Sequence, residues 1–589
     1  MKREISKILS EMAVLLDMDE VAFKPQAYER AARSIEDQNL GNDDLKEMYK
    51  TGGLKKLMEI PGVGRGIAEH IEEFLKKGTF AEYEKYNKKY PVDIEGLTSV
   101  SGVGPKMVKT LWQKLKVKNL ADLEKAAKAG QIAKLERMGQ KTQDKILKGL
   151  EFLKSTGGRL ALGFLLDELR DLEKQISNLP GVAKAVVAGS ARRRQETIGD
   201  IDILAVSSAP ERVMEKFIKL PFVLDVVSTG PTKTSVRLKW GLNADLRVVP
   251  PESFGAALIY FTGSQSHNIK LREIAIKKGL KLNEYGLFKG AKSIAGKTEE
   301  EVYKALGLAY IEPEMREDVG EIELAHQNKL PRLIGYDDLL GNMQTHSNWS
   351  DGETTIEEMA KAAMEVGLQY ILITDHTRGL AMTGGADEKK LLKQMAEIDK
   401  LNKRSPTSPR LRGAGKFHAS SFKILKGAEV NIGKNGELDM DEKVLAQLDV
   451  VGAAVHSHFN LSREEQTQRI IKAMENPNVD IIFHLTGRLI NKREAIQVDF
   501  EEILKTAKKT GTILEIDAYP DRLDLRDDFI KECVAAGVKM SIGADAHSPA
   551  HYKYLEMGLA QARRGWAQKS DIINAWPVEK MIKFLKKGI

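Results

Sequence analysis

The chain has 589 residues, of which 30% are charged and 42% are hydrophobic, and its formal net charge is +7. This length exceeds what one hydrophobic core supports, so about three to five domains are expected. Cys533 is the only cysteine, so an intrachain disulfide is excluded. No uncharged apolar run approaches the roughly 20 residues that span a bilayer. The composition predicts a cytoplasmic protein without a membrane segment, and it permits a nucleic-acid partner without requiring one.

Two glycine-rich turns mark a region predicted to form helical domains at residues 1–80 and 81–150. Ile60-Pro-Gly-Val-Gly64 has the form of a helix-hairpin-helix turn, and Val100-Ser-Gly-Val-Gly104 repeats it. Such glycines allow a tight turn that offers backbone N–H groups to a DNA phosphate. One copy could be a plain turn between helices, but two copies that each open a basic helix favour DNA-backbone binding. The predicted DNA contacts are Gly62, Val63, Gly64, Gly102, Val103, Gly104 and Lys106.

A strand, a basic turn and a second strand follow between Ala185 and Leu204. Gly189-Ser190 at the start of a helix leaves backbone N–H groups for an anion, and the arginines at 192–194 suit a polyphosphate. Asp200 and Asp202 alternate with isoleucines on the second strand and so share one face. Two adjacent carboxylates that face a phosphate site suit Mg²⁺. The alternative is a solvated pair of aspartates, against which the arginine cluster argues.

The string Gly-Ser-x-Arg-Arg followed by Glu-x-x-Gly-Asp-x-Asp resembles the nucleotidyltransferase signature of family X DNA polymerases, the relatives of DNA polymerase beta. Nearly the whole chain resembles the long bacterial and archaeal form of that family, PolX, in which a PHP (polymerase and histidinol phosphatase) domain follows the polymerase core. The resemblance implies α-helical helix-hairpin-helix domains, an α/β nucleotidyltransferase palm and thumb, and a C-terminal distorted β/α barrel. It also implies that Asp245 joins Asp200 and Asp202 as a catalytic ligand of two Mg²⁺ ions.

The same resemblance assigns residues 151–250 to the palm and 251–318 to a nucleotide-binding subdomain. Tyr260-Phe-Thr-Gly-Ser264 matches a motif that lines the sugar and disfavours a 2′-OH, although Tyr260 and Phe261 alone could be ordinary core aromatics. Arg192 and Arg194 are as compatible with solvent as with DNA. The implied nucleotide contacts are Gly189, Ser190, Arg193, Tyr260, Phe261, Gly263, Asn268 and Arg272.

The resemblance also bears on lyase chemistry in the first domain. DNA polymerase beta carries there a lysine that forms a Schiff base, and His70 stands at the matching position. Because imidazole cannot replace the amine, we expect no strong lyase activity by that route. Lys24, Arg30 and Arg65 remain predicted phosphate contacts.

Residues 319–335 are predicted to form a linker. In residues 336–589, segments typical of strands alternate with segments typical of helices. Short apolar runs there end in Asp375-His376, Glu429, His456, His484 and Asp545. One histidine at a strand end is usually structural, but five such endings describe the active face of a β/α barrel. The motifs resemble those of the PHP domain, which implies up to three Mn²⁺ or Zn²⁺ ions. The matching ligands are His346, Asp351, His376, Glu429, His456, His484, Asp545 and His547.

Four positions depart from the PHP pattern. Gln344 replaces the ninth ligand and offers only a neutral oxygen where imidazole is expected. Asn342, Asn431 and Leu485 replace other usual residues. We still expect a working cluster, with one metal bound less tightly. The basic stretch 402–421 predicts a mobile loop that either guides DNA to the metals or is a solvated insertion.

The sequence thus predicts a template-dependent DNA polymerase that fills short gaps in DNA repair, with a PHP 3′–5′ exonuclease that could also act at abasic or 3′-blocked ends. Its partners would be gapped or primer–template DNA and dNTPs, with a monomer as the default. One rival is a nucleotidyltransferase for tRNA or a small molecule joined to a small-molecule phosphatase, against which the hairpin turns argue. Another is a catalytically weak PHP half that serves as a structural platform, which metal content would test.

Overall fold

The computed structural model describes residues 2–37, 44–100, 102–136, 138–155, 157–380, 383–404 and 422–587. Two helical domains with separate cores form the N-terminal part. Helix α1 joins them, because Leu9 and Met12 pack in the first core while Leu15 and Met18 pack in the second. The helices are α1 (Lys2–Met18), α2 (Lys24–Asp37), α3 (Asp44–Leu57), α4 (Arg65–Lys77), α5 (Ala81–Lys89), α6 (Ile94–Thr98), α7 (Pro105–Leu115), α8 (Leu120–Lys128) and α9 (Gln140–Ser155).

A five-stranded mixed sheet forms the domain predicted as the palm. Its strand order is β2-β4-β7-β6-β5, and β4 pairs with β7 in parallel. The elements are β1 (Leu160–Ala161), α10 (Leu166–Ser177), β2 (Val182–Val187), α11 (Gly189–Arg192), β3 (Thr197–Ile198), β4 (Asp200–Ser207), α12 (Pro210–Phe217), β5 (Val223–Thr229), β6 (Lys233–Leu238) and β7 (Asn243–Val249). Ile201, Ile203, Ala244 and Leu246 are buried, so the predicted alternation along both central strands is observed.

A smaller domain follows the palm and packs around its own core. It contains α13 (Phe254–Thr262), α14 (Gln265–Lys277), β8 (Lys281–Asn283), β9 (Gly286–Lys289), β10 (Lys292–Ala295), α15 (Glu299–Ala305) and α16 (Glu321–His326). The last of these helices lies within the segment predicted as a linker. That segment is folded rather than extended, because its charges are paired: the buried Glu321 accepts from His267 at 2.7 Å. Just before it, the fully buried Arg316 pairs with Glu299 at 2.7 Å.

Seven parallel strands form a nearly closed barrel in the C-terminal part, in the order β11 to β17. A bridge between Thr345 and Ala546 brings the first strand beside the last. The elements are β11 (Gly341–Thr345), α17 (Ile356–Glu365), β12 (Tyr370–Ile373), α18 (Glu388–Arg404), β13 (Lys423–Asn431), α19 (Glu442–Leu445), β14 (Val450–Ala454), α20 (Arg463–Met474), β15 (Ile481–Ile482), α21 (Phe500–Thr510), β16 (Ile513–Asp517), α22 (Asp527–Ala536), β17 (Met540–Gly543), α23 (Leu555–Arg564) and α24 (Val578–Lys587). The predicted fold class is confirmed.

The barrel packs directly against the palm. Leu523 and Met557 of the barrel belong to the hydrophobic core of the palm. Across the same junction, Arg488 forms two hydrogen bonds with Glu196, at 2.6 and 3.1 Å. Within the described ranges, no helix combines the length and apolar character needed to cross a bilayer.

Candidate active sites in the palm and the barrel

Three aspartates lie together where β4 and β7 begin. Asp202 and Asp245 are direct neighbours on these parallel strands, and Asp200 opens β4 in an exposed position. Burial and the charges of Asp200 and Asp245 raise the pKa of Asp202 to about 6. Such crowding of carboxylates disfavours ionisation unless a cation lies between them. All-oxygen ligands that need a cation fit Mg²⁺.

Lys233 stands beside this carboxylate group. Its Nζ lies 2.7 Å from Oδ2 of Asp245. Burial would raise the pKa of Asp245, but the hydrogen bonds from Lys233 and Ser235 and the lysine charge lower it. The charge of Lys233 therefore keeps Asp245 ionised while Asp202 still tends to hold a proton.

Gly189 allows the predicted phosphate-binding turn to approach the aspartates closely. Its φ is +63°, and a Cβ at this position would lie 2.7 Å from Oδ2 of Asp202. No L side chain fits that combination of backbone conformation and space. The turn that carries Ser190 can therefore lie against the carboxylates only with glycine at 189.

The three arginines after this turn are all engaged within the protein. Arg193 donates through Nε to Glu317 at 2.9 Å. Arg192, predicted to face solvent or DNA, instead forms a two-pronged pair with the buried Glu299, at 2.8 and 2.6 Å. Arg194, predicted likewise, bonds Glu556 of the barrel at 2.8 Å. The predictions for Arg192 and Arg194 are wrong, because carboxylates distant in sequence meet them in the fold.

The aromatic motif lies at the end of α13, beside these arginines. Tyr260 is 41% exposed and its ring contacts that of Phe261 edge-on, with the centroids 5.0 Å apart. The guanidinium of Arg247 lies 4.6 Å from the Phe261 ring centroid. Asn268 donates to the carbonyl of Tyr260 at 2.7 Å. Gly263 has φ +70°, and a Cβ there would lie 3.1 Å from Nη1 of Arg193.

Exposure separates Tyr260 from an ordinary core aromatic, since its ring is available to a ligand. Arg272 lies on α14, one turn after Asn268, and is half-buried. The predicted nucleotide contacts therefore come from two adjoining elements, the turn at Gly189 and the α13–α14 corner.

The two hairpin turns have matching geometry. Gly62 and Gly102 adopt left-handed φ values of +78° and +89°, and Gly64 and Gly104 cap the following helices without a side-chain hydrogen bond. The backbone N–H groups of the first helical turns are thus available to a phosphate. The predicted DNA contacts that are exposed are Gly62, Gly64, Gly102, Gly104 and Lys106.

Val63 and Val103 differ from those predicted contacts. Each side chain is only 4% exposed and packs in a domain core. Their apolar side chains anchor the turns, so these two residues can offer DNA only their backbone.

His70 occupies the expected lyase position as a packed side chain. Its ring stacks on Phe80 with the centroids 4.5 Å apart, and its Nδ1 lies 2.7 Å from the hydroxyl of Tyr28. Burial lowers the pKa of His70. The site therefore holds a neutral aromatic ring where a Schiff-base enzyme needs an amine.

All eight predicted metal ligands of the barrel meet at the carboxyl ends of its strands. Three overlapping groups bring possible ligand atoms within 4.8 Å of one another. These groups are His346, Asp351, His376 and His547; His376, Glu429 and His456; and His346, Glu429 and Asp545. His484 joins them through Nε2, which lies 2.8 Å from Oε1 of Glu429.

The charge state of this centre indicates a need for cations. Burial would raise the pKa of Glu429, but the charges of the surrounding histidines hold it well below its usual range. Burial would lower the pKa of His346, but hydrogen bonds to Asp545 and Glu429 hold it well above its usual range. A buried group of carboxylates thus draws protons onto imidazoles. Mixed nitrogen and oxygen ligands of this kind fit Zn²⁺ or Mn²⁺ in place of those protons.

Gln344 points into the same centre. Its Nε2 donates to Glu429 at 3.1 Å, while its Oε1 is buried without a hydrogen-bond partner. The free carbonyl oxygen is the one ligand this residue can offer. Asn342, another departure, instead ties strands together by accepting from the Ala544 backbone at 2.8 Å.

Several buried polar groups that support the centre were not predicted from the sequence. Asp375 accepts from Ser347 and Ser350 and so holds the loop that carries Asp351. Glu515 accepts from the backbone N–H of His484 at 2.9 Å. The alternation of acids in Ile513-Leu-Glu-Ile-Asp517 was the available signal, since it places two carboxylates inside the barrel. Of the basic stretch 402–421, residues 405–421 lie outside the described residues.

The fold and its two centres define an enzyme with a nucleotidyltransferase palm and a metal-binding phosphoesterase barrel. Family models for a helix-hairpin-helix domain match residues 1–80, a tandem helix-hairpin-helix 94–151, the DNA polymerase beta thumb 257–317 and the PHP domain 342–519. The chain is 33% identical to DNA polymerase/3′-5′ exonuclease PolX of Bacillus subtilis over 592 residues, which covers all of both chains. The chain belongs to the PolX family, the family X DNA polymerases that carry a PHP domain.

Two further relatives each match less than half of this chain. DNA polymerase lambda of Rattus norvegicus is 26% identical over 46% of this chain and 50% of its own length. A probable phosphatase of Thermoanaerobacter is 30% identical over 40% of this chain and 89% of its own length.

Proposed function

We propose that this enzyme fills short gaps in primer–template DNA with dNTPs and removes nucleotides from 3′ ends with its PHP domain. The observation that carries the polymerase half is the pairing of Asp202 with Asp245, with Asp200 at the mouth of the same strand. Gly189 brings the phosphate-binding turn against that pair. The domains would be 1–80 and 81–150 for DNA binding, 151–250 for the palm, 251–318 for nucleotide binding and 336–589 for the PHP unit.

In the palm, Asp200, Asp202 and Asp245 would hold two Mg²⁺. Bound there, the ions would supply positive charge for the primer 3′-OH and for the leaving pyrophosphate. Ser190 and the N–H groups of its turn would hold the triphosphate, and Arg193 would exchange Glu317 for a phosphate oxygen. Tyr260, exposed beside this turn, would close against the sugar.

In the barrel, the eight acidic and histidine side chains and Gln344 would hold up to three Mn²⁺ or Zn²⁺. Bound there, the ions would supply a water-derived nucleophile and charge for the phosphorus centre. Glu429 contacts four histidines and so would keep the ligand rings in place. Abasic and 3′-blocked ends are further proposed substrates of this centre.

A labelled primer on a short-gapped duplex with Mn²⁺, with and without dNTPs, tests both halves. Asp200→Ala should lose extension and keep 3′ degradation, whereas His547→Ala should show the reverse. If the wild type extends primers but never degrades them, the barrel would serve as a structural platform. The core that the barrel shares with the palm is the observation that supports this alternative. A wild type that does neither would overturn the proposal.

A further inference from the structure

The loops that follow β14 and β15 carry more than metal ligands. Phe459 lies three residues after His456, and Arg493 lies on the loop that follows His484. The Arg493 guanidinium lies 4.1 Å from the Phe459 ring centroid, and its Nε donates to the Gly487 carbonyl at 2.8 Å. Stacking and hydrogen bonding together fix the plane of the guanidinium.

No carboxylate in the described part of the chain lies within ion-pair distance of this guanidinium. Burial and repulsion from Arg522 lower the pKa of Arg493 to about 10, and the more distant Asp521 and Asp524 offset this only in part. A partly buried cation that lacks a counter-charge gains free energy when it binds an anion. Arg493 is therefore poised for an anionic ligand.

Arg522 shows where that ligand would lie. Its Nε is 3.4 Å from Asp517 and 3.5 Å from the metal-ligand candidate Asp545. Arg522 thus stands at the metal centre with its charge balanced. Arg493, its charge unbalanced, holds the carbonyl of Gly487, three residues after the metal-ligand candidate His484.

The Arg493 loop is held in place before any ligand arrives. Asn491 donates to the Arg159 carbonyl of the palm at 2.7 Å, and the backbones of Leu489 and Arg493 bond each other at 2.9 and 2.8 Å. A site on a fixed loop loses little conformational entropy on binding.

We propose that Arg493 binds a non-scissile phosphate of a DNA strand whose 3′ end occupies the PHP centre, and so positions that strand for cleavage. This inference rests on the proposed exonuclease function. The planar guanidinium offers two Nη groups to the oxygens of one phosphate, a geometry that a lysine cannot reproduce. A substrate with a single phosphate would not reach this contact.

The test uses the full-length enzyme with Mn²⁺ and without dNTPs. Arg493→Gln is compared with Lys492→Gln, which removes one positive charge from the neighbouring residue. Lys492 is exposed and pairs with Asp521 at 3.2 Å. Arg493→Gln should raise KM for 3′ degradation of a single-stranded oligonucleotide about tenfold. Its turnover of bis-p-nitrophenyl phosphate, which has one phosphate, should match that of wild type. Arg493→Lys should recover part of the loss.

Equal KM values for the two glutamine variants would overturn the inference, as would an equal loss on the small diester. Primer extension by the same preparations reports that each variant is folded. A labelled tetranucleotide with phosphorothioate linkages, followed by fluorescence anisotropy in Ca²⁺, gives a readout without cleavage. If wild type degrades nothing, the proposed exonuclease fails, whereas weaker tetranucleotide binding by Arg493→Gln alone would still support the phosphate site.

Discussion

Nδ1 of His456 lies 2.7 Å from Oδ1 of Asn431, so the imidazole N–H donates to the amide oxygen. The other side of Asn431 donates to Asp439 at 2.7 Å, which fixes the amide orientation. His456 is thereby left with Nε2 as a lone-pair donor toward the metal centre. An outer partner of this kind orients a metal-binding histidine.

Asn431→Ala should therefore weaken metal binding at the PHP centre at least about tenfold. Metal titration of the full-length protein followed by elemental analysis measures the effect. The exposed Asn435→Ala is the matched control, and primer extension should be unchanged in both variants. Equal metal content in all three proteins would show that the asparagine has no such role.

Asp202→Asn should stabilise the metal-free protein above pH 6 while abolishing extension. The pKa of Asp202 is raised from 3.8 to about 6 in the folded chain. The folded state therefore binds more protons than the unfolded chain, and ionisation of Asp202 lowers the free energy of unfolding as pH rises through this window. The gain should be about 3 kcal/mol at most at pH 7.5 and should vanish near pH 4.

Thermal unfolding in EDTA across this pH range measures the Asp202 effect. Asp225→Asn, at an exposed position on the same sheet, should show no such trend. If the difference in stability between wild type and Asp202→Asn stays constant with pH, the expectation is contradicted.

Arg488→Met should destabilise the junction between palm and barrel. It removes the two hydrogen bonds to Glu196 and leaves that carboxylate with the hydrogen bond from Gln561 across the junction. The loss should be about 2 kcal/mol, since a partly buried carboxylate loses its counter-charge. The double variant with Glu196→Leu should recover part of the melting temperature, and additive losses would contradict the pairing.

His70→Ala should lower the melting temperature without changing lyase chemistry. The ring stacks on Phe80 and bonds Tyr28, so its loss removes packing. Borohydride trapping on abasic DNA should give the same trace signal in variant and wild type. Trapping that disappears in the variant would assign chemistry to this histidine.

Gly62→Ala should weaken DNA binding about fivefold through the backbone alone. Alanine is strained at φ +78°, and its Cβ would lie 3.3 Å from the Ala31 nitrogen. Gly66→Ala, at the second residue of α4 with open space around its Cβ position, is the control. An electrophoretic mobility shift assay measures the affinity of both variants for a gapped DNA substrate. Equal affinities would show that the hairpin does not contact DNA.

The sequence allowed the barrel and both carboxylate clusters to be predicted because period-two alternation and strand-end ligands are local patterns. Asp202 is an example, since its neighbours Ile201 and Ile203 already define its face. The partners of Arg192 and Arg194 were not predictable, because Glu299 and Glu556 are far away in sequence. The folded linker escaped prediction for the same reason, because the fold brings His267 to its Glu321 from far away in sequence.

Glu317 is shared by three donors, namely Arg193 and Gln195 of the palm and Arg564 of the barrel helix α23. Leu523 and Met557 likewise complete the apolar interior of the palm. Cutting the chain before the barrel would therefore remove two side chains from the palm core and leave Glu317 without its barrel donor Arg564. The two centres are separate, yet the polymerase half is expected to lose stability when it is parted from the barrel.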